Sequence, residues 1–349
     1  MTQLTEDDFA DTLIALRRHG GRKKDTADSL GITDRQLRRR LNQAAAQDID
    51  PEHPNKDSPF AVEHLPERGA HTWEIKSDKN NCYRFGAFGD LHAGSKYARW
   101  DVRSDLMKRA EDFGAFAILD TGNWCDGEAP FNKYDLEIIG MSQQIQLLAD
   151  KYPKIKTPTY AVTGADHEGW WIKREGIDVG RYCESVMREA GHSWIDLGYI
   201  EADIILRNVN SGATSILRVA HPGGGSAYAL SYKPQKIVES YEGAEKPAVV
   251  LFGHYHKLEC GNVRNVWYCQ TGCQCDQTPF MRQKNLESHV GGILLGLEQD
   301  PETGAITRMT PDIHRYFNRG YYFKEGKANQ RWSGHGPIRQ VPRGVNLPY

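Results

Sequence analysis

Five short apolar segments, each followed at once by side chains that can bind metal or phosphate, constrain the fold of this chain more than any other feature. The first covers residues 85–92, FGAFGDLH, and ends in Asp90 and His92. Residues two apart in an extended segment point to the same side, so this carboxylate and imidazole can bind one ion. The D-x-H pattern alone is common in proteins, and its weight comes from the four later segments.

Those later segments repeat the same arrangement. The sequence DTGNWCDG follows residues 116–119, TGADHEGWW follows 159–162, HPGGG follows 216–220 and GHYH follows 249–252. Helical patterns lie between several of these segments. Open α/β sheets assemble their sites at the carboxyl ends of strands. We therefore predict an α/β fold in which the polar clusters meet in one site.

The composition indicates a soluble, unexported protein of about two domains. A chain of 349 residues with 39% hydrophobic residues can bury a substantial core. It has no run of ~18 apolar residues and begins with an acidic segment, so we expect neither membrane insertion nor export. Seven cysteines without a C-x-x-C pair favour free thiols in the cytoplasm, although Cys273 and Cys275 could bind metal. The net charge of −2 means that any surface for nucleic acid must be local.

Residues 1–47 form a separate unit in which apolar residues recur at helical spacing. Thr33 and Gln36 have the spacing of a capping box. The segment LGITDRQLRRRLNQA resembles the helix-turn-helix of homeodomain-like and Fis-type DNA-binding proteins, whose last helix enters the major groove. The resemblance implies a small all-α domain, with a protein-docking module as the alternative. The implied DNA-binding residues are Arg35, Gln36, Arg38, Arg39 and Arg40.

Changes in composition set the remaining boundaries. Residues 48–79 are rich in Pro, His, Asn, Lys and Asp and are interpreted as an extended linker. Residues 80–326 would form the α/β domain. The tail, residues 327–349, is rich in Gly, Pro and Arg and is interpreted as an arm. Such an arm could lie over a neighbouring subunit, which leaves a homo-oligomer open.

The order of the motifs is more specific than any one of them. D-x-H, then G-N-x-x-D, then G-A-D-H-E, then a lone His and then G-H-x-H resemble the signature of calcineurin-like metallophosphoesterases over residues 83–321. The resemblance implies a four-layer α/β/β/α sandwich of two mixed sheets that holds two divalent metal ions. Mn²⁺ is expected, with Zn²⁺, Fe²⁺, Ni²⁺ and Mg²⁺ as alternatives. The implied metal ligands are Asp90, His92, Asn123, Asp166, His221, His254 and His256.

Two of these positions depart from the family pattern. Asn123 stands where the family has a bridging aspartate, and Asp166 stands where it has an asparagine. The exchange keeps the number of carboxylates, but a neutral amide bridges two cations poorly because it has one acceptor oxygen and no charge. Three interpretations stay open: a natural exchange with activity kept, an engineered substitution that inactivates the protein, and a degenerate site that binds without cutting.

The resemblance also implies roles in catalysis. The implied catalytic residues are Asp90, Asp166 and His167. His167, oriented by Glu168, would protonate the departing alkoxide as a general acid. Asp126 is interpreted as a residue that orients a ligand imidazole, and Asp120 as a turn residue at a strand end.

The substrate is indicated less directly. Residues 221–241 place a glycine run beside a metal ligand, and glycines let backbone N–H groups approach a phosphate. Aromatic and lysine side chains follow, as a nucleotide strand would require, but an ordinary loop is the alternative. These side chains are Tyr228, Tyr232, Lys233 and Lys236. Three tryptophans could stack a base or belong to the local core: Trp124, Trp170 and Trp171.

We therefore predict a metal-dependent phosphodiesterase that hydrolyses DNA, a nuclease recruited by its N-terminal helix-turn-helix. Two alternatives remain at this stage. One is a phosphatase on a small phosphorylated metabolite, and the other is a DNA-binding regulatory protein whose phosphoesterase domain is catalytically silent.

Overall fold

A computed structural model describes residues 12, 15, 16, 23–46 and 73–317, apart from 226, 244 and 245. The chain divides into two compact units, Met1–Glu67 and Arg68–Tyr349. The predicted arm, residues 327–349, and most of the predicted linker lie outside the described residues. The last part of the predicted linker is a strand, Trp73–Lys76, which pairs with a strand about 130 residues later in the sequence.

The small unit contains two described helices, α1 (Lys23–Ser29) and α2 (Asp34–Ala46). The predicted capping box is confirmed, because the Thr33 N–H donates to Gln36 Oε1 and the Gln36 N–H donates to Thr33 Oγ1. Leu37 is fully buried. Three arginines of α2 are exposed, whereas Arg40 is half-buried and donates to the Thr12 hydroxyl. The exposed arginines are Arg35, Arg38 and Arg39.

The large unit is built from twelve described strands in two six-stranded sheets. In chain order they are β1 (Trp73–Lys76), β2 (Cys82–Phe88), β3 (Ala117–Asp120), β4 (Thr159–Thr163), β5 (Trp194–Tyr199), β6 (Glu201–Arg207), β7 (Thr214–Ala220), β8 (Val249–Phe252), β9 (Leu258–Val263), β10 (Val266–Thr271), β11 (Gly291–Gln299) and β12 (Ile306–Arg315). The sheet orders are β1-β6-β7-β8-β10-β9 and β12-β11-β2-β3-β4-β5. Both sheets contain parallel and antiparallel pairs.

Helices cover the outer faces of the two sheets. They are α3 (Trp100–Asp112), α4 (Met141–Lys151), α5 (Gly169–Glu175), α6 (Val179–Glu189), α7 (Tyr232–Ser240) and α8 (Pro279–Gln283). Three buried clusters separate the layers. One lies between the sheets, one joins α3, α4 and α6 to the second sheet, and one joins α7 to the first. The predicted four-layer α/β/β/α sandwich of two mixed sheets is confirmed.

Burial bears on two sequence interpretations. Trp124 and Trp171 are at most 1% exposed and belong to the core beneath the second sheet, which is the local-core alternative, so neither can stack a base. Asp120 is the last residue of β3, and its Oδ1 accepts the Gly122 N–H at 3.1 Å, as a turn residue at a strand end would. Its carboxylate is fully buried and accepts from the Arg103 guanidinium at 2.8 Å, which ties α3 to the end of β3. An unpaired charge at this depth would be strongly destabilising.

Candidate metal centre

The predicted ligands follow the carboxyl ends of β2, β3, β4, β7 and β8, in turns with unusual backbone geometry. Five of them have positive φ: Asp90 (51°), His92 (56°), Asn123 (52°), His254 (73°) and His256 (53°). Side-chain-bearing residues rarely adopt this left-handed conformation, which costs roughly 1–3 kcal/mol per residue. The fold therefore holds these five side chains in place against a local conformational cost.

Three of the ligand side chains form a first group. His256 Nε2 lies 3.3 Å from Asp90 Oδ1 and 3.2 Å from His92 Nε2, and His92 Nε2 lies 3.8 Å from Asp90 Oδ1. Asp90 is fully buried, and both imidazoles are nearly so. One carboxylate oxygen and two imidazole nitrogens at these distances are a donor set suited to a divalent transition metal.

Asp166, His221 and His254 form a second group. Asp166 Oδ1 lies 3.5 Å from His221 Nε2, and Asp166 Oδ2 lies 3.2 Å from His254 Nδ1. The Asp90 carboxylate connects the two groups, because its Oδ2 accepts the His254 backbone N–H at 3.0 Å. The sequence prediction that these residues converge agrees with this geometry.

Hydrogen bonds to fixed acceptors orient three of the imidazoles. His221 Nδ1 donates to the Thr121 carbonyl at 2.6 Å, and His254 Nε2 donates to the Gly224 carbonyl at 2.7 Å. His92 Nδ1 donates to Asp126 Oδ1 at 3.0 Å. Since one nitrogen of each ring carries the donated proton, the other is an unprotonated acceptor that faces the cluster whenever the ring is neutral.

Five buried polar atoms of the predicted ligand residues have no hydrogen-bond partner among the described residues. They are Asp90 Oδ1, Asn123 Oδ1, Asp166 Oδ1, His221 Nε2 and His256 Nδ1. Buried polar atoms are normally paired, because leaving one unpaired costs about 1–3 kcal/mol. Donor atoms of this kind fit divalent cations, and the Asn123 oxygen belongs to the set. The residues of this chain therefore fit the metal pair that the family resemblance implied.

The electrostatics favour ionised carboxylates. Burial alone would raise the pKa of Asp90, but the neighbouring His256, His221 and His92 lower it to about 2. Burial also opposes ionisation of Asp166, yet His221 and His254 hold the pKa of that carboxyl well below its usual range. Both side chains are therefore anions at neutral pH, as metal ligation requires.

His167 lies beside the first group and is oriented by Asp126. Its Nδ1 lies 2.8 Å from the Asp126 carbonyl and 3.1 Å from Asp126 Oδ1. Burial lowers the pKa of His167, but Asp126 and Asp166 outweigh burial and raise it to about 9. The prediction that Glu168 orients His167 is wrong. Glu168 Oε1 instead accepts the backbone N–H groups of Asn123 and Gly164, and so joins the turns after β3 and β4.

A cavity of about 350 Å³ opens from the metal ligands. Beyond the ligands its wall is largely apolar and comes from residues 131–135 and from α8 with its flanking residues. The wall residues include Phe131, Tyr255, Phe280, Met281 and Leu286. Sequence reasoning missed these residues because they carry no metal-binding group, and all of them except Tyr255 stand outside the motifs. Gly224 and Gly225 of the predicted glycine run also line the cavity, whereas Tyr228 is fully exposed and Tyr232 begins α7.

Comparison with known proteins characterises the two units separately. Residues 13–43 match the family model described as "Bacterial regulatory protein, Fis family", which confirms the predicted resemblance of the N-terminal segment. No curated protein matches the chain.

Solved structures that resemble the chain include phosphoesterases. An archaeal phosphodiesterase has 11% identity over 66% of this chain and 99% of its own, with a TM-score of 0.35. Vps29 from Entamoeba histolytica, complexed with Zn²⁺, has 13% identity over 66% of this chain and 98% of its own, with a TM-score of 0.30. A predicted phosphoesterase from Streptococcus pneumoniae has 8% identity over 67% and 98%, with a TM-score of 0.31. Since these scores are low, we interpret the site from its own geometry.

Proposed function

We propose that this chain is a two-metal phosphodiesterase that hydrolyses DNA and is recruited by its N-terminal helix-turn-helix. The proposal rests on one observation. Both ligand groups contain buried oxygen or nitrogen atoms that can bind a metal and that have no hydrogen-bond partner among the described residues. The assignment of DNA is supported by the match of residues 13–43 to a Fis-type regulatory family and by the exposed arginines of α2. A reducing cytoplasm is supported by the free thiols of all seven cysteines.

Asp90, His92 and His256 would hold one cation, and Asp166, His221 and His254 the other, with Asn123 contributing its amide oxygen. Divalent cations would polarise the phosphoryl oxygens and lower the pKa of a water molecule that attacks phosphorus. We interpret the Asn123 and Asp166 exchange as one that keeps activity. Support for this comes from Asp166, whose carboxylate already lies within 3.5 Å of two ligand imidazoles.

His167 would act on the departing group. Attack by water forms a new phosphorus–oxygen bond and releases a proton of that water to solvent, while the bond to the leaving oxygen breaks and the His167 imidazolium gives its proton to that oxygen. A proton from solvent then restores the imidazolium. The products are a phosphomonoester and an alcohol. Asp126 orients the imidazole, and Asp126 and Asp166 outweigh burial and raise its pKa, which favours the protonated form that a general acid requires.

The test is hydrolysis of a phosphodiester with an alkyl leaving group, with Mn²⁺ and with chelator. We expect metal-dependent cleavage, slower cleavage of the matching monoester, and a loss of about 10²–10⁴-fold in His167→Ala. The loss should be smaller for a nitrophenyl ester, whose leaving group needs no acid. Preference for the monoester would instead favour a metabolite phosphatase.

One observation favours a second function, a DNA-binding regulator with a silent site. Asn123 supplies a neutral oxygen where a bridging anion is expected, and a neutral oxygen holds two cations less firmly. A protein that binds DNA but cleaves neither ester with any divalent metal would support this second function.

A further inference from the structure

The cavity beside His167 offers more than room for a phosphate. On the side away from the metal ligands, Phe131 and Phe280 form an aromatic wall with ring centroids 5.2 Å apart and ring planes 36° apart. Phe131 also lies edge-on to the His167 ring, with centroids 5.5 Å apart. The wall is therefore in contact with the imidazole that would protonate the leaving group.

Both rings are available for contact. Phe131 is 45% exposed and Phe280 is 37% exposed, although both line a concave site. The position of Phe280 is fixed by its helix, because Thr278 caps α8 with its side chain and Pro279 occupies the first turn. Exposed aromatic rings held rigidly in a cavity are a feature of ligand sites.

The cavity offers no lysine or arginine to a second phosphate group. None of the described residues that line it is Lys or Arg, and Asp135 places a carboxylate on the wall beyond the ligands. A further phosphate of the strand therefore gains nothing from lying against the wall. The cavity volume of about 350 Å³ is that of a small-molecule site, so a base-paired duplex cannot enter it. The wall is suited to a flat, uncharged group attached to the leaving oxygen.

We propose that Phe131 and Phe280 stack the unpaired base of the leaving nucleotide. This inference rests on the proposed phosphodiesterase function and names its substrate class as single-stranded or frayed DNA. The base beside the scissile phosphate must leave its duplex partner to reach the wall, since stacking requires access to its face.

Deoxydinucleotides that carry either two bases or one base and an abasic residue test the proposal. The nucleoside released without phosphate identifies the leaving side. We expect removal of the base on that side to lower kcat/KM about tenfold or more, and removal on the other side to have a smaller effect. Phe131→Ala and Phe280→Ala should raise KM about tenfold for the two-base substrate, and so lower about tenfold the ratio of kcat/KM for the two-base substrate to kcat/KM for the abasic substrate. Phe280→Tyr should retain the preference.

Tyr182→Ala is the matched control, because Tyr182 is an exposed aromatic residue on α6 that does not line the cavity. Its KM should equal that of the wild type for every substrate. Melting temperatures confirm that each variant is folded. Equal kcat/KM for substrates with a base-bearing and an abasic leaving side would contradict base stacking on Phe131 and Phe280. It would not contradict the proposed phosphodiesterase activity. No cleavage of any dinucleotide with any divalent metal would overturn the proposed function, and the wall with it.

Discussion

Asn123 is the residue on which the chemistry of the site depends most directly. Its backbone is held at φ 52°, its N–H is bound by Glu168, and its Oδ1 has no hydrogen-bond partner among the described side and main chains. Gly164 makes room for it, since a Cβ there would lie 2.1 Å from the amide oxygen. The structure thus buries a neutral oxygen without a hydrogen-bond partner at the position where the family resemblance implies a bridging ligand.

Replacing Asn123 with Asp should tighten metal binding. The carboxylate has nearly the same shape and adds a negative charge beside the cations, so we expect the dissociation constant to fall about tenfold or more. Titration against a chelating indicator measures the change. Asn265→Asp is the control, because Asn265 is exposed, has a φ of 64° and lies in the turn between β9 and β10, at the end of β10 opposite the site, so it adds the same charge away from the ligands. Equal metal affinity in Asn123→Asp and wild type would contradict this assignment.

The element that organises the site is the turn after β3, where Asp126 binds two imidazoles. Its Oδ1 lies 3.0 Å from His92 Nδ1 and 3.1 Å from His167 Nδ1. His92 belongs to a metal group, whereas His167 would act on the leaving group. One carboxylate therefore orients both a proposed metal ligand and the proposed general acid.

Asp126→Asn should impair both functions, because an amide weakens the charge-assisted bonds to the two rings. We expect metal affinity and kcat each to fall about 10–100-fold. Calorimetric titration and initial rates measure the two effects. Asp135→Asn removes a carboxylate from the same cavity without removing a bond to either imidazole, and it should have a much smaller effect. If the two variants behaved alike, general cavity charge would explain the result better than orientation.

Asp196 lies on β5 beside α6, and its buried carboxyl leads us to expect a free energy of unfolding that depends on pH. This dependence does not involve the metal ligands. Burial raises the pKa of Asp196 to about 6, and Asp178 and Glu184 add to this. Because the folded state holds this proton more tightly than the unfolded state, stability falls as pH rises from about 4 to about 6 and is then constant. Asp196→Asn should remove on the order of 1–3 kcal/mol of this pH dependence. Chelated protein melted between pH 4 and 7 gives the comparison, and equal pH dependence in both proteins would refute the shift.

Strands that end in ligands were predictable from the sequence, and several others were not. β2, β3, β4, β7 and β8 each contain a short, mainly apolar segment directly before a conspicuous motif, so the local pattern located them. Strands such as β6, by contrast, alternate buried and exposed residues weakly and pair with partners distant in sequence. The sequence also could not identify the carboxylate that orients the His167 imidazole. Glu168 follows His167 directly and Asp126 lies 41 residues earlier in another motif, and only the fold shows which of the two carboxylates reaches the imidazole.

At the scale of the whole molecule, the proposal divides the work between the two compact units. The exposed arginines of α2 would supply affinity for DNA, and the sandwich would supply cleavage. The sequence predicted the general architecture well, because ordered motifs and a helical arginine cluster identify each unit. It could not predict the apolar wall, since Phe131 and Phe280 are far apart in the chain and meet only in the fold.

Deletion of residues 1–47 should weaken DNA binding and leave hydrolysis of small phosphodiesters unchanged. Each lost phosphate contact lowers the slope of log K against log salt by about 0.9, so the salt dependence should become shallower. Fluorescence anisotropy at several salt concentrations measures this. DNA affinity that is unchanged in the truncated protein would contradict the proposed division of labour.

None of the helices among the described residues has the length and apolar character that a membrane span requires.

Each ligand group draws its side chains from both sheets of the sandwich. Asp90 and His92 follow β2 and Asp166 follows β4 in one sheet, whereas the other ligand histidines follow β7 and β8 in the other. A cation in either group would be bound by side chains from both sheets. It would therefore connect the two halves of the sandwich at the edge where these strands end. Loss of the ions would remove all these connections together. The cations that would take part in the reaction would thus also hold the two sheets in position relative to each other.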